Sequence, residues 1–226
     1  VAPHGGVENT MRTRSLMFFC HAIALATCFE GEINLIVPEN GYISLNIPLT
    51  YSRIGTSSTR TTHPLYMSLL QKLLHDMGFS IRIKNPYQFK TKGEMLIECK
   101  NQDILVKNVP QTMSCSHPDY LGRRRGESET PHCGTCLPCI IRRAAIKRAG
   151  IDDSTRYYDP DFTSGDTART NLNSYLLGLK KYDEEKAFLT IQMSGPLTNN
   201  IEQYESIYNR GIMEIRGLLD EYIENS

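Results

Sequence analysis

The chain has 226 residues, 40% hydrophobic and 22% charged, with 25 Lys/Arg against 25 Asp/Glu and therefore no formal net charge. That length suffices for one well-buried core, and the neutral total argues against a protein that wraps bulk nucleic acid. No apolar run reaches the roughly 20 residues that a membrane span needs, the longest candidate, Leu16 to Phe29, being interrupted by His21.

Leu16, Phe19, Cys20, Ile23 and Ala24 recur at helical spacing and predict a helix close behind the opening VAPHGGVENTMRTRS. That opening has no initiator methionine, and the chain reads as a piece of something longer. An apolar strand is expected at Ile33 to Val37, then a turn at Glu39-Asn40-Gly41, since Asn-Gly supplies positive φ at little cost. HPLYMSLLQKLLHDMG predicts a helix with Pro64 first and Gly78 as its stop. Leu65, Leu69, Leu70, Leu73, Leu74 and Met77 form its expected apolar face. SIRI follows as a strand. Thr91 and Glu94 make a capping box that starts a helix carrying Met95, Leu96 and Cys99. Another helix is expected from about Cys139 to Gly150, its last turn holding Lys147 and Arg148 where the dipole favours cations. Strands alternating with helices predict an α/β fold with a mainly parallel sheet. The tail segments TARTNLNSYLLGLKKY and IEQYESIYNRGIMEIRGLLDEYIE predict amphipathic helices packed on that core, with Gly195-Pro196 between them.

Four of the seven cysteines cluster: Cys133, Cys136 and Cys139 are spaced C-x2-C-x2-C, and Cys115 lies ahead of them. Four thiolates close one tetrahedral site and leave no position for water, so the spacing predicts a structural zinc rather than a catalytic one. An iron–sulfur cluster is the competing reading, because the same spacing with a distant fourth cysteine suits it too. His117 and His132 are then bystanders. An odd cysteine count bunched at ligand spacing points to a reducing, cytoplasmic compartment. Cys20, Cys28 and Cys99 fall on apolar faces and read as core.

Charge is uneven along the chain. Between Cys115 and Gly150 there are seven Lys/Arg against three acids, whereas from Asp183 onward nine acids face three bases. Local positive charge in a neutral whole suits a small anionic ligand better than nucleic acid. Arg12, Arg14, Arg53, Arg60, Arg142 and Arg143 are candidates to clamp a carboxylate or phosphate, while Arg123, Arg124 and Arg125 read as a solvated run. Arg60 stands out, because Ser58, Thr59 and Thr61 surround it just ahead of a helix N-terminus. Lys92 opposes the dipole at its helix start and is a candidate to face a phosphate.

Taken in order, MRTRSLMFFCHAIALA, VPENGYISLNIPL, STRTTHPLY, FKTKGEM and TMSC…HCGTCLPCIIRRAA resemble the 7-cyano-7-deazaguanine synthase (QueC) family of PP-loop ATPases. Within it they look most like the QatC-type relatives of bacterial anti-phage operons. The resemblance runs from about Met11 to Gly150 and, more weakly, through SGPL and RGIMEIRGLL. It implies that residues 1–150 form the C-terminal part of a PP-loop ATPase domain, zinc motif 115–139 included, incomplete at its N-terminus, and that 151–226 form a helical extension. Family members carry an SGGxDS loop whose backbone amides reach the ATP phosphates. This sequence contains no such motif, so these residues alone are expected to bind ATP weakly or not at all. The implied activity uses ATP with magnesium to adenylate the carboxylate of a 7-deazaguanine, followed by amide transfer. The acceptor is ammonia in the family and, for the defence relatives, a protein amine encoded in the same operon. The resemblance puts Arg60, Ser58, Thr59 and Thr61 near the substrate and leaves Lys92 for the nucleotide. The alternative is a zinc-stabilised binding module without chemistry of its own.

Overall fold

The protein is described by a computed structural model covering residues 12–47, 49, 61–116 and 131–224. Helix α1 (Arg12–Ala26) leads into strand β1 (Ile33–Ile36), a short helix α2 (Gly41–Leu45), helix α3 (Pro64–Asp76) and strand β2 (Ile81–Lys84). The strands pair in parallel, Ile33 opposite Ile81 through Ile36 opposite Lys84, as a strand–helix–strand crossover requires. Among the described residues these two strands are the whole sheet, so the fold is α/β with a small parallel sheet and many helices. Ile33, Leu35, Ile81 and Ile83 pack against Ile23 and Ala26 of α1 and Leu74 of α3. The Gln71 side chain zips α3 to β2: its Nε2 donates to Ile81 O at 3.0 Å and its Oε1 accepts from Ile83 N at 2.7 Å. This satisfies peptide groups that an edge strand would otherwise present to other chains.

The larger core is helical. It draws on α2, α6 (Leu137–Arg148), α7 (Asp166–Lys180), α8 (Ala187–Ser194) and α9 (Ile201–Glu224), with α4 (Lys92–Ile97) and α5 (Gln102–Asn108) lying between β2 and α6 in the chain. Leu45, Ile140, Leu179, Ile191, Ile207, Ile215 and Leu219 are fully buried in it, so one cluster joins residues on both sides of position 150. In α9 the buried Tyr204, Ile207, Tyr208, Gly211, Ile212, Ile215 and Leu219 recur at spacings of three and four, which is one stripe of a helix facing a core.

The capping box at Thr91 and Glu94 is present in both directions, and Pro64 opens α3 as expected. Three expectations change. Asn40 takes no positive φ but lies at φ −67 as the N-cap of α2, its side chain accepting from Ile43 N at 2.9 Å. Of the apolar face expected for α3, Leu70 and Leu74 are buried, whereas Leu69, Leu73 and Met77 are each more than half exposed. Two strands cover only one stripe of a helix. Cys20 and Cys28 are exposed and Cys99 is half-buried; α1 meets the sheet through Ile23 and Ala26, and its cysteines lie off that contact.

Candidate metal centre

Cys115, Cys133, Cys136 and Cys139 converge, and their four Sγ atoms all lie within 4.8 Å of one another. The Cys133–Cys139 pair is 3.8 Å apart and the Cys136–Cys115 pair 4.0 Å. A tetrahedron with roughly 2.3 Å metal–sulfur bonds has sulfur–sulfur edges of about 3.8 Å. The spacing therefore fits a single ion such as zinc, whereas a multi-iron cluster placed between the thiolates would hold them further apart. Cys115, Cys136 and Cys139 are buried and Cys133 is half-buried.

The local sequence explains the convergence. Cys136 is the N-cap of α6 and Cys139 lies in its first turn, so two ligands come from one rigid helix end. Gly134, at φ +87, turns the chain between Cys133 and Cys136, and a Cβ there would lie 2.5 Å from Asp159 O. Backbone amides point at the sulfurs: Cys133 N donates to Cys115 Sγ and Cys136 N to Cys133 Sγ, each at 3.3 Å. Such donors favour thiolate over thiol. Cys133 is held far below the usual thiol range by hydrogen bonds from Cys115, Cys136 and Cys139. Cys139 is pushed far above it by Cys115, Cys133 and Cys136 and by burial. Four thiols this close cannot all ionise without a cation among them, and a divalent metal supplies that charge.

Arg142, expected as an anion clamp, is instead a buried brace for this centre. Its Nη1 donates to Thr112 Oγ1 at 2.7 Å, and its Nη2 donates to Val109 O and to Thr155 Oγ1, the latter at 3.1 Å. It thereby ties α6 to the segment that carries Cys115. His132 helps, with Nε2 at 3.0 Å from Thr112 O, which assigns the ring proton to Nε2 because a carbonyl only accepts. Burial holds this imidazole below its usual range, and its Nδ1 sits 3.9 Å from Cys139 Sγ, behind a ligand rather than in the ligand set. Arg143 donates to Gly134 O at 3.3 Å and lies over the Tyr157 ring, so it too belongs to the loop. No spacing rule flags Thr112 or Thr155.

The other candidates divide. Arg53, Ser58, Thr59, Arg60, His117, Arg123, Arg124, Arg125 and the Arg12 side chain lie outside the described residues. Thr61 is described, its Oγ1 lying 2.8 Å from Ser15 Oγ of α1. Lys92 reaches inward toward the metal loop and donates to Ser114 Oγ at 3.3 Å. Burial pushes its ammonium below the usual lysine range, while Glu39 pulls the other way. The buried His63 accepts from Leu65 N with Nδ1 at 3.2 Å, and its Nε2 lies 3.4 Å from Ser194 Oγ. A Cβ on Gly195 would lie 2.6 Å from the His63 ring, so His63 and the Ser194-Gly195 pair, distant in sequence, meet there.

Comparison with known proteins bears on this arrangement. The chain is similar to 7-cyano-7-deazaguanine synthases. Those of Brucella ovis, Brucella canis and Brucella melitensis biotype 2 are each 32% identical over 102 residues, which is 45% of this chain and 38% of the relative. The chain thus spans well under half the length of these relatives. No family model matches it, and no solved structure does. Among the described residues no helix is long and apolar enough to cross a membrane.

Proposed function

We propose that this chain provides the metal-stabilised part of an ATP-dependent enzyme of the 7-cyano-7-deazaguanine synthase type, built on a PP-loop ATPase domain. The observation that carries this reading is the 102-residue likeness to proteins of that name, joined to a four-cysteine site whose spacing fits one ion. Zinc at Cys115, Cys133, Cys136 and Cys139 has no open position and serves to hold the Cys115 segment on α6. The chemistry belongs elsewhere. A carboxylate expels oxide too poorly to be an acyl donor, so its oxygen attacks the α-phosphorus of ATP and pyrophosphate leaves; an amine nitrogen then attacks the acyl carbon of the adenylate, the bond to AMP breaks, and the amine gives up a proton as the amide forms. The protein must align two anions that repel each other with fixed cations and donors. Arg60, with Ser58, Thr59 and Thr61, is assigned to the 7-deazaguanine carboxylate, and Lys92 to the nucleotide side. A protein amine in an anti-phage system of the QatC type is the proposed acceptor, and the cytoplasm, where thiols stay reduced and able to ligate a metal, the proposed compartment.

The test is AMP release dependent on 7-carboxy-7-deazaguanine and magnesium, with an SGGxDS-bearing segment supplied ahead of these residues. Substrate-dependent AMP that falls in Arg60→Ala, with zinc content unchanged, supports the reading. The absence of any substrate-dependent AMP would favour a zinc-stabilised binding module.

A further inference from the structure

Two cations lie beside the metal centre, and among the described residues neither is held in an ion pair. Arg142 is 3% exposed and follows Cys139 by one turn of α6. The oxygens its Nη atoms meet, on Thr112, Val109 and Thr155, are all neutral. Its Nε is buried with no hydrogen-bond partner among the described residues. Asp153, the carboxylate on that side, instead accepts from Thr155 N at 3.0 Å and from Tyr157 Oη at 2.8 Å. Lys92 comes from α4, which packs against α6. Its ammonium donates to Ser114 Oγ at 3.3 Å, just ahead of Cys115, and lies within electrostatic reach of Cys139, Arg142 and Glu39.

A buried cation without a counter-charge is costly, which is why buried charges are paired or sit beside metals. Four thiolates around one divalent ion leave two negative charges uncompensated. With three of its four ligands buried, that dianion would itself be expensive without positive charge close by. The thiolate centre and the two cations therefore supply what the other lacks. Glu39, on the far side of Lys92, competes for the ammonium, but burial raises its carboxyl above the usual range and weakens that claim.

We infer that Lys92 and Arg142 are the counter-charges of the metal centre, stabilising a divalent ion on Cys115, Cys133, Cys136 and Cys139 and disfavouring an ion of higher charge. The inference rests on the metal of the proposed function and on none of its chemistry. It gives Lys92 a duty at the metal loop besides the one assigned to it on the nucleotide side.

The test is made at Lys92, because Arg142 is also a brace and its loss would remove hydrogen bonds together with the charge. Zinc affinity of the full chain is read by competition with a chromophoric chelator, with neither ATP nor a deazaguanine present. Lys92→Gln, which keeps a donor but no charge, should bind zinc about tenfold to a hundredfold more weakly, as loss of an outer partner of a metal site does. Lys92→Arg should recover most of that affinity. Lys147→Gln, an exposed change on the helix that carries Cys139, should leave it unchanged. A charge effect, unlike a packing effect, also has a sign. With iron loaded in place of zinc, removing a nearby cation favours the ferric state. Lys92→Gln should then raise the ferric-to-ferrous ratio about tenfold at a fixed potential, a fall of about 59 mV for one electron. The inference falls if Lys92→Gln leaves zinc affinity unmoved, if Lys92→Arg recovers none of the loss, or if the iron potential does not drop. It falls too if the effect vanishes in a Glu39→Gln background, which would make Lys92 the partner of that carboxylate alone. Its fate separates from that of the proposed activity. Zinc affinity that depends on the Lys92 charge without any AMP release keeps the counter-charge and removes the enzyme, whereas AMP release with zinc affinity indifferent to Lys92→Gln removes the counter-charge alone.

Discussion

Glu214 on α9 is buried beneath the start of α4, and its replacement tests how the tail holds the metal-bearing half of the fold. The carboxylate accepts from the Thr91 hydroxyl and from Gly93 N at 3.3 Å, and pairs with Arg148 Nε of α6 at 3.2 Å. Glu214→Ala strips an acceptor from two buried donors, each costing about 1–3 kcal/mol. Arg148 is 38% exposed in its side chain and can turn to water, so it adds at most about 1 kcal/mol. The expected loss is about 4 kcal/mol, a large share of the 5–15 kcal/mol typical of a folded domain. Glu214→Gln keeps one acceptor oxygen and removes a charge that is costly to bury, so about 1–2 kcal/mol is expected. The assay is urea unfolding of the zinc-loaded chain at neutral pH. Burial raises the Glu214 carboxyl above its usual range, against hydrogen bonds from Thr91 and Gly93. A raised acid favours the folded state below its unfolded value and loses that advantage as pH rises through its folded value. The gap between the parent and Glu214→Gln should therefore narrow over that rise. A Glu214→Ala cost below 1 kcal/mol, or a Glu214→Gln cost equal to it, would refute the reasoning.

Further outcomes follow from other contacts. The purified protein should be colourless, carry about one zinc per chain and lose thermal stability with a chelator, and Cys139→Ser should reproduce that loss; a brown, iron-containing protein would overturn the assignment. Burial alone would raise Glu94, but hydrogen bonds from Thr91 N and from Arg210, with Nε at 2.7 Å, outweigh it and hold the carboxyl below its usual range. That contribution is present above the unfolded value near 4.3 and is lost as pH falls through the folded one. The destabilisation by Arg210→Leu should accordingly shrink in acid, and a gap that widens there would contradict it. In Gly211→Ala the new Cβ would run into the Tyr42 ring. The variant should lose about 1–3 kcal/mol despite alanine's better helix propensity, as read by denaturant midpoint.

What the linear sequence determined by itself is local. Cys136 and Cys139 sit three residues apart at a helix start, so one turn of backbone brings their thiols together wherever that helix lies. Thr91 and Glu94 satisfy each other's backbone across a single turn, and Pro64 opens α3 because its missing N–H has no helical partner to lose. Each of these depends on neighbours within about four residues. Burial does not, because it is decided by whatever the rest of the chain brings up against a helix face. Leu73 and Leu74 are adjacent and equally apolar, yet one is 52% exposed and the other 2%, since Leu74 is the one that packs against Ile81 of the two-stranded sheet. Arg142 looked like a clamp for an anion until Thr112, Val109 and Thr155 were placed around it. Tyr204 belongs to an ordinary helical stripe in the sequence. Only the tertiary structure sets its ring 5.1 Å from that of Phe89 and beside the residues that follow β1 and β2, because long-range packing, and not spacing along the chain, decides what each face of a helix meets.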